Sequence, residues 1–211
     1  ATERIAREPW LARAGVPIEV ADAGELAGRA GTDGHQGVCA VVDPYPYADA
    51  AELLAAPDAV VVALDEVTDP QNLGAVARTA EASGATGIVI PERRSAEVTP
   101  AVCKASAGAV EHLSIARVRN LADYLADAKA AGAWCYGAAA HAPTLYTQPD
   151  YTGAVVLVLG AEGKGLRPRV AAACDDLVSI PLKGRIESLN VSATAAVLLY
   201  QILQSRLDMS T

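Results

Sequence analysis

The stretch Ala59-Val-Val-Val-Ala-Leu64, then Asp65-Glu-Val-Thr-Asp-Pro-Gln-Asn72, Leu73-Gly-Ala-Val-Ala-Arg78-Thr-Ala80-Glu-Ala-Ser83 and Gly87-Ile-Val-Ile90, decides the fold class. An unbroken apolar run of strand length has no polar face, so it predicts a strand buried on both sides. Leu73, Val76, Ala77 and Ala80 then recur at the spacing of a helix face over Asn72–Ser83. A second apolar run follows. Strand, helix and strand in this order make a βαβ unit, whose two strands lie parallel.

The alternation continues downstream. The pattern predicts a helix over Thr99–Ala107, a strand over His112–Ala116 and a helix over Leu121–Ala131. Strands follow at Trp134–Ala138 and Ala154–Leu159, then a short helix Pro168–Ala173, a strand Leu177–Ile180 and a long helix Val191–Leu207. The expected architecture is α/β, a parallel sheet with helices on both faces. Upstream, a helix is expected over Ala48–Ala55, after the Pro-punctuated Asp43-Pro-Tyr-Pro-Tyr47. Residues 1–37 read as a helical stretch Glu8–Ala14, a strand Pro17–Ala21, a helical turn Ala23–Arg29 and a turn-rich segment from Gly31 to Gly37. These pieces are too few to bury a core. They are expected to be the end of another domain, and, as the chain begins without Met, residues are expected to precede Ala1.

Composition narrows the function classes. Hydrophobic residues make up 52% of the 211 and charged residues 20%, which excludes a disordered chain. The longest apolar runs are strand-length, far short of the ~20 residues of a spanning helix, and the first ten residues lack the apolar centre of a secretion signal. No Cys-x-x-Cys pair occurs among Cys39, Cys103, Cys135 and Cys174, so zinc has no support and buried thiols of a cytoplasmic protein are expected. The net charge of −8 speaks against indiscriminate nucleic-acid binding. Residues 1–58 carry four Arg against ten acidic residues, whereas 91–120 and 161–185 each carry five basic against three acidic.

Three loops, each after an apolar strand, hold the candidate chemistry. In the first, Pro70 and Gly74 punctuate a turn, Asn72 is the expected helix N-cap, and Arg78 sits among Ala and Val and calls for a partner. The second is Gly160-Ala-Glu162-Gly-Lys-Gly165-Leu-Arg-Pro168, whose glycines let the backbone approach a ligand. It is not a phosphate-binding Gly-x-x-x-x-Gly-Lys-Ser/Thr loop, since Leu166 and Arg167 stand where Lys and Ser or Thr belong. The third runs from Ser179-Ile180-Pro-Leu182 through Gly184 to Ser188-Leu189-Asn190-Val-Ser192-Ala-Thr194. Four hydroxyl or amide groups in seven residues exceed what one helix start needs for capping, so free N–H groups there are candidates to face a ligand.

Together, Asn72-x-Gly74-x-x-x-Arg78, Gly160-Ala-Glu162-Gly-x-Gly165 and Ile180-Pro-Leu182 with Ser188-Leu189-Asn190-Val-Ser192 resemble the three motifs of the SpoU (TrmH) branch of the SPOUT RNA methyltransferases, in order and spacing, from Val60 to about Arg206. His35-Gln-Gly37-Val38 is similar to the domain junction of the ribosomal-RNA guanosine 2′-O-methyltransferases. The resemblance implies a C-terminal deep trefoil knot, an exception to the usual absence of knots, in a catalytic domain at 38–211. It implies that 1–37 is the remnant of a small ribosomal-protein-like α/β RNA-binding domain with its linker. It further implies S-adenosylmethionine bound by Leu159, Gly160, Ile180, Leu182, Ser188 and Leu189, with Ala138–Ala140 lining the same pocket. Arg78 would serve the acceptor ribose as base or phosphate anchor; its high pKa favours the anchor. Glu162, or a hydroxyl or water held by Ser188, would take the proton, and Asn72 and Asn190 would orient the site.

The substrate expected is RNA, a guanosine of large-subunit ribosomal RNA before transfer RNA or the adenosine of thiostrepton-resistance enzymes. A homodimer is expected through the stripe Val191, Ala195, Leu198, Leu199, Ile202 and Leu203. Two other classes compete. A dinucleotide oxidoreductase lacks its Gly-x-Gly-x-x-Gly after the first strand, and against a non-catalytic RNA-binding protein stand Arg78, Glu162 and Asn190, all retained.

Overall fold

The computed structural model describes residues 1–209, as two compact units, residues 1–44 and 45 onward. The first contains three short helices, α1 (Glu3–Ala6), α2 (Pro9–Ala12) and α3 (Ala23–Ala30). Asp22 caps α3 by accepting the Glu25 N–H at 2.8 Å, and Gly31 ends it in the left-handed conformation, φ 64°. Leu11 and Leu26 are buried. Pro17–Ala21 is not the expected strand. Among the described residues its backbone bonds run to the first residue alone, the Ala1 ammonium to Glu19 O (2.7 Å) and Ala21 N–H to Ala1 O (2.9 Å), too few for a ladder. Gly37, φ 87°, accepts the Thr2 N–H at 2.8 Å. A Cβ there would lie 2.9 Å from Ile5 Cγ1 and Thr2 Oγ1, so the turn closes on α1 only with glycine.

The second unit is the predicted α/β layer structure. Its strands are β1 (Val60–Asp65), β2 (Gly87–Pro91), β3 (Ser114–Val118), β4 (Trp134–Ala138), β5 (Thr144–Leu145), β6 (Val155–Gly160) and β7 (Asp176–Ser179). They form one sheet in the order β3-β2-β1-β6-β4-β7-β5, every pair parallel. The helices are α4 (Pro70–Ala82), α5 (Pro100–Ala105), α6 (Leu121–Ala130), α7 (Pro168–Ala173) and α8 (Val191–Met209). Alternate residues of β1 serve opposite faces. Val60, Val62 and Leu64 pack with Leu73 and Val76 of α4 and Leu198 of α8; Val61 and Ala63 pack with Leu121 and Leu125 of α6 and Val170 of α7. Helices on both faces explain why the strand has no polar side.

Three expectations change. Ala48–Ala55 is a single 3-10 turn, Glu52–Leu54, because Ala48 is taken by the sheet edge: its N–H donates to Ile115 O at 2.9 Å, and it bridges Ala116. Gly74 lies inside α4 instead of at a turn. A Cβ there would fall 2.4 Å from Ala105 Cβ and 2.9 Å from Ser106 N, so glycine lets α4 lie directly on α5. Most of the α8 stripe, expected to exceed one sheet face, is covered within the chain: Val191, Ala195, Leu198, Leu199 and Ile202 are at most 4% exposed, whereas Leu203 is half-buried.

Candidate active site

Parallel strands deliver their C-terminal ends to one edge of a sheet, where ligands of such folds bind. Asp65 at the end of β1 pairs in register with Gly160 at the end of β6, so the loops that follow leave side by side. The first enters α4, capped by Asp69, whose carboxylate accepts the Gln71 N–H at 2.9 Å ahead of Pro70 at the first position. Asn72 is therefore not the N-cap expected from sequence. It lies within the first turn, with its amide free to reach across.

That amide meets the other two motifs. Asn72 Nδ2 donates to Glu162 Oε1 at 3.0 Å, and Asn190 Nδ2 donates to Asn72 Oδ1 at 2.9 Å and to the same Glu162 oxygen. The Val191 N–H adds a 3.4 Å contact to it. Asn190 also accepts the Ser192 N–H at 2.8 Å and the Ser192 hydroxyl at 2.5 Å, and so starts α8 while facing the site. Donors from two helix starts thus fix one oxygen of the carboxylate. The other oxygen has no hydrogen-bond partner among the described residues.

Beside this cluster lies a cavity of about 510 Å³, within the range of small-molecule sites. Leu159, Gly160, Ile180, Leu182, Ser188 and Leu189 all line it, as do Ala138–Ala140 and Glu162. Its wall is closed by the glycine loop, in which Gly165 N–H returns to Ala161 O at 2.9 Å with Gly163 and Gly165 at φ 74° and 66°. Gly160 faces that turn so closely that a Cβ would stand 2.2 Å from Gly165 C and 2.5 Å from Leu166 N. Three polar residues missed from sequence, His141, Lys164 and Glu187, also line the cavity. Arg78 does not line it. It is exposed on α4 with no ion pair or hydrogen bond among the described residues, so water meets the need for a partner that its apolar neighbours suggested.

An ion pair between a buried carboxylate and a half-exposed guanidinium anchors the same edge and was also missed. Asp65 is 0% exposed; its carboxylate accepts Arg167 N–H at 2.8 Å and Arg167 Nε at 2.7 Å, with Nη2 also 2.7 Å away. An uncompensated charge in that position would be strongly destabilising, so the pair ties the end of the glycine loop to β1. Burial pushes the Cys135 and Cys174 thiols up to about 12, which leaves both protonated and poor nucleophiles at neutral pH. Among the described residues no cluster of His, Cys, Asp and Glu fits a metal ion, and no helix is long and apolar enough to cross a membrane.

Comparison with known proteins gives consistent matches. The model of the SpoU rRNA Methylase family matches residues 59–200, and that described as RNA 2′-O ribose methyltransferase substrate binding matches 7–48. The chain is 45% identical over 179 residues to an uncharacterized tRNA/rRNA methyltransferase of Synechocystis sp., covering 82% of this chain and 46% of that one. It is 43% identical over 180 residues to a putative TrmH family tRNA/rRNA methyltransferase of Bacillus subtilis, covering 83% and 72%. The chain thus spans less than half of the Synechocystis relative. Its structure is similar to the SpoU methyltransferase AviRb from Streptomyces viridochromogenes in complex with the cofactor AdoMet, with a TM-score of 0.70 and 30% identity, over 77% of this chain and 63% of that one.

Proposed function

The chain belongs to the SpoU rRNA methylase family, and from that premise we propose that it transfers a methyl group from S-adenosylmethionine to a ribose 2′-hydroxyl of RNA, at a guanosine of large-subunit ribosomal RNA. The observation that carries the reading is the meeting of Asn72, Glu162 and Asn190, from three separate motifs, at the lip of one cavity. The cavity suits the cofactor: Ile180 and Leu189 offer apolar surface to an adenine, Gly160 gives the backbone close approach, and Lys164 and Glu187 supply charges at the wall.

S-adenosylmethionine, when bound, supplies a methyl group already activated on a sulfonium, so the protein's part is alignment and the handling of one proton. Glu162, held through one oxygen, presents the other to the ribose hydroxyl and accepts its proton. Asn72 and Asn190 keep that carboxylate in place, and Ser188 on the cavity wall holds the hydroxyl or a water beside it. Arg78, exposed and unpaired among the described residues, anchors an RNA phosphate through its planar fork. The ribosomal preference rests on the resemblance of His35-Gln-Gly37 to the junction of the ribosomal-RNA enzymes, and the reading of residues 1–37 as part of an RNA-binding domain is supported by the substrate-binding match at 7–48. The knot is proposed on the same footing, as is a cytoplasmic home. The homodimer is proposed on different residues from those first expected: Tyr200 and Leu207, two turns apart on α8, are 50% and 54% exposed. Light scattering at micromolar concentration should give a dimer, and a monomer would remove that part.

The test is methyl transfer from labelled cofactor, with 2′-O-methyls mapped in RNA from a deletion strain. A lost methyl in large-subunit ribosomal RNA is expected; a loss confined to transfer RNA overturns the substrate, and no transfer at all overturns the activity. Glu162→Gln should lower kcat about 100-fold or more, and Arg78→Ala should do likewise with cofactor affinity within about two-fold, since Arg78 is away from the cavity. Cofactor binding lost together with activity in Arg78→Ala would contradict its role.

A further inference from the structure

Beside the cavity, three arginines leave the ends of neighbouring strands. Arg93 and Arg94 follow β2, Arg167 follows β6, and β1 lies between those strands. The residue after β1 is Glu66. Arg94 Nη1 is 3.3 Å from Glu66 Oε1, and Arg167 Nη1 is 3.7 Å from the same oxygen. The spacing of the loops is fixed by backbone, since Ala96 N–H donates to Val67 O at 2.9 Å. Glu66 and Arg94 both take left-handed backbone, φ 58° and 59°, which is unfavourable for a residue with a side chain and persists where the surroundings impose it.

The two ion pairs differ in kind. Arg167 is bound by Asp65 through its Nε and backbone N–H and cannot leave. The Arg94 side chain is 78% exposed and uses one of its five donors on Glu66, at long range, so solvent screens that pair. Arg93 is exposed with no ion pair among the described residues. A fixed guanidinium, a releasable one and an open one therefore line a single sheet edge, next to the loop that walls the cavity. Their common complement is a polyanion that presents successive phosphates, because planar forks match phosphate oxygens two at a time.

Given the reading of the substrate as RNA, we propose that Arg93, Arg94 and Arg167 form a backbone-phosphate strip beside the cavity. Glu66 is its exchangeable counter-ion: it holds Arg94 in place until a phosphate takes it. Its residues are distinct in sequence from Arg78 and from the substrate-binding match at 7–48, and it positions the RNA strand on the cofactor side of the site.

Binding of in-vitro transcribed large-subunit ribosomal RNA, followed by fluorescence anisotropy across a KCl series, tests this. Arg94→Ala should weaken binding about five- to ten-fold near 0.1 M salt and reduce the slope of log affinity against log salt by about 0.7–0.9, one phosphate's worth. Glu66→Gln should bind RNA about three-fold tighter, as competition for Arg94 is gone. Calorimetric S-adenosylmethionine affinity within about two-fold of wild type in Arg94→Ala shows that the fold is intact. An unchanged slope in Arg94→Ala, or weaker RNA binding by Glu66→Gln, overturns the strip alone. A wild-type protein that binds the cofactor but no RNA overturns the substrate reading and the strip together.

Discussion

At Gly160 a single carbon atom decides whether the glycine loop can close, because the place of a Cβ is already filled by the backbone of Gly165 and Leu166. Gly160→Ala must push the loop outward, and overpacking of this kind costs ~1–3 kcal/mol. Cofactor affinity is expected to fall about ten-fold or more by calorimetry, whereas Gly184→Ala, with open space around it, should bind as wild type. Equal affinities for the two variants would contradict this account. The buried thiols make a second prediction. An unfolded chain releases these protons near the ordinary value of 9.0, while the folded chain keeps them to about 12. Above pH 9 the unfolded state therefore binds fewer protons, and stability should decline as pH rises from 9 toward 12. Cys135→Ser with Cys174→Ser should flatten that alkaline limb in urea melts. Residues such as Gly160, Ile180 and Leu189 were legible because their motifs are contiguous. Asn72 was legible as important but misread as a cap, since Asp69-Pro70 three residues earlier was the stronger cap signal. Asp65 and Arg167 stand 102 positions apart, and nothing local in either segment announces the other.

Among the elements, α8 depends most on one side chain. Arg206 donates to Tyr151 O at 3.1 Å, Asp58 O at 2.5 Å and Gly153 O at 2.6 Å, which fastens the helix to the loops entering β1 and β6. Charge-assisted bonds of this kind contribute ~1.5–3 kcal/mol each at most and are not additive. Arg206→Ala should lower the unfolding free energy by about 2 kcal/mol in urea titrations, with Arg206→Lys in between; a silent alanine would mean that α8 packing alone holds the end. Strands β1, β2 and β6 were readable as apolar runs because both of their faces are covered. Strand β5, two residues at the sheet edge, has no period to read. The helix expected to reach Ala107 stops at Ala105, where Ala107 and Gly108 turn to positive φ, a stop the glycine marked and the apolar spacing overran.

For the whole molecule, the division near residue 44 separates what is asked of each part. The cavity and all its charged residues belong to the second unit. Removal of residues 1–44 should leave S-adenosylmethionine affinity within about two-fold yet weaken RNA binding about ten-fold at fixed salt, as the proposed reading of residues 1–37 as part of an RNA-binding domain requires. Equal RNA affinity with and without them would show that the first unit contributes nothing to substrate capture. The second unit has its own requirement, set by the single Glu162 oxygen on which residues 72, 190 and 191 converge. Two of those donors stand 28 and 29 positions after Glu162, at the start of α8. A growing polypeptide can lay down most of the sheet and the glycine loop and still hold its carboxylate unfastened until α8 emerges. The carboxylate is fastened only when the start of α8 reaches it, so the geometry of this cluster is the last thing the unit acquires.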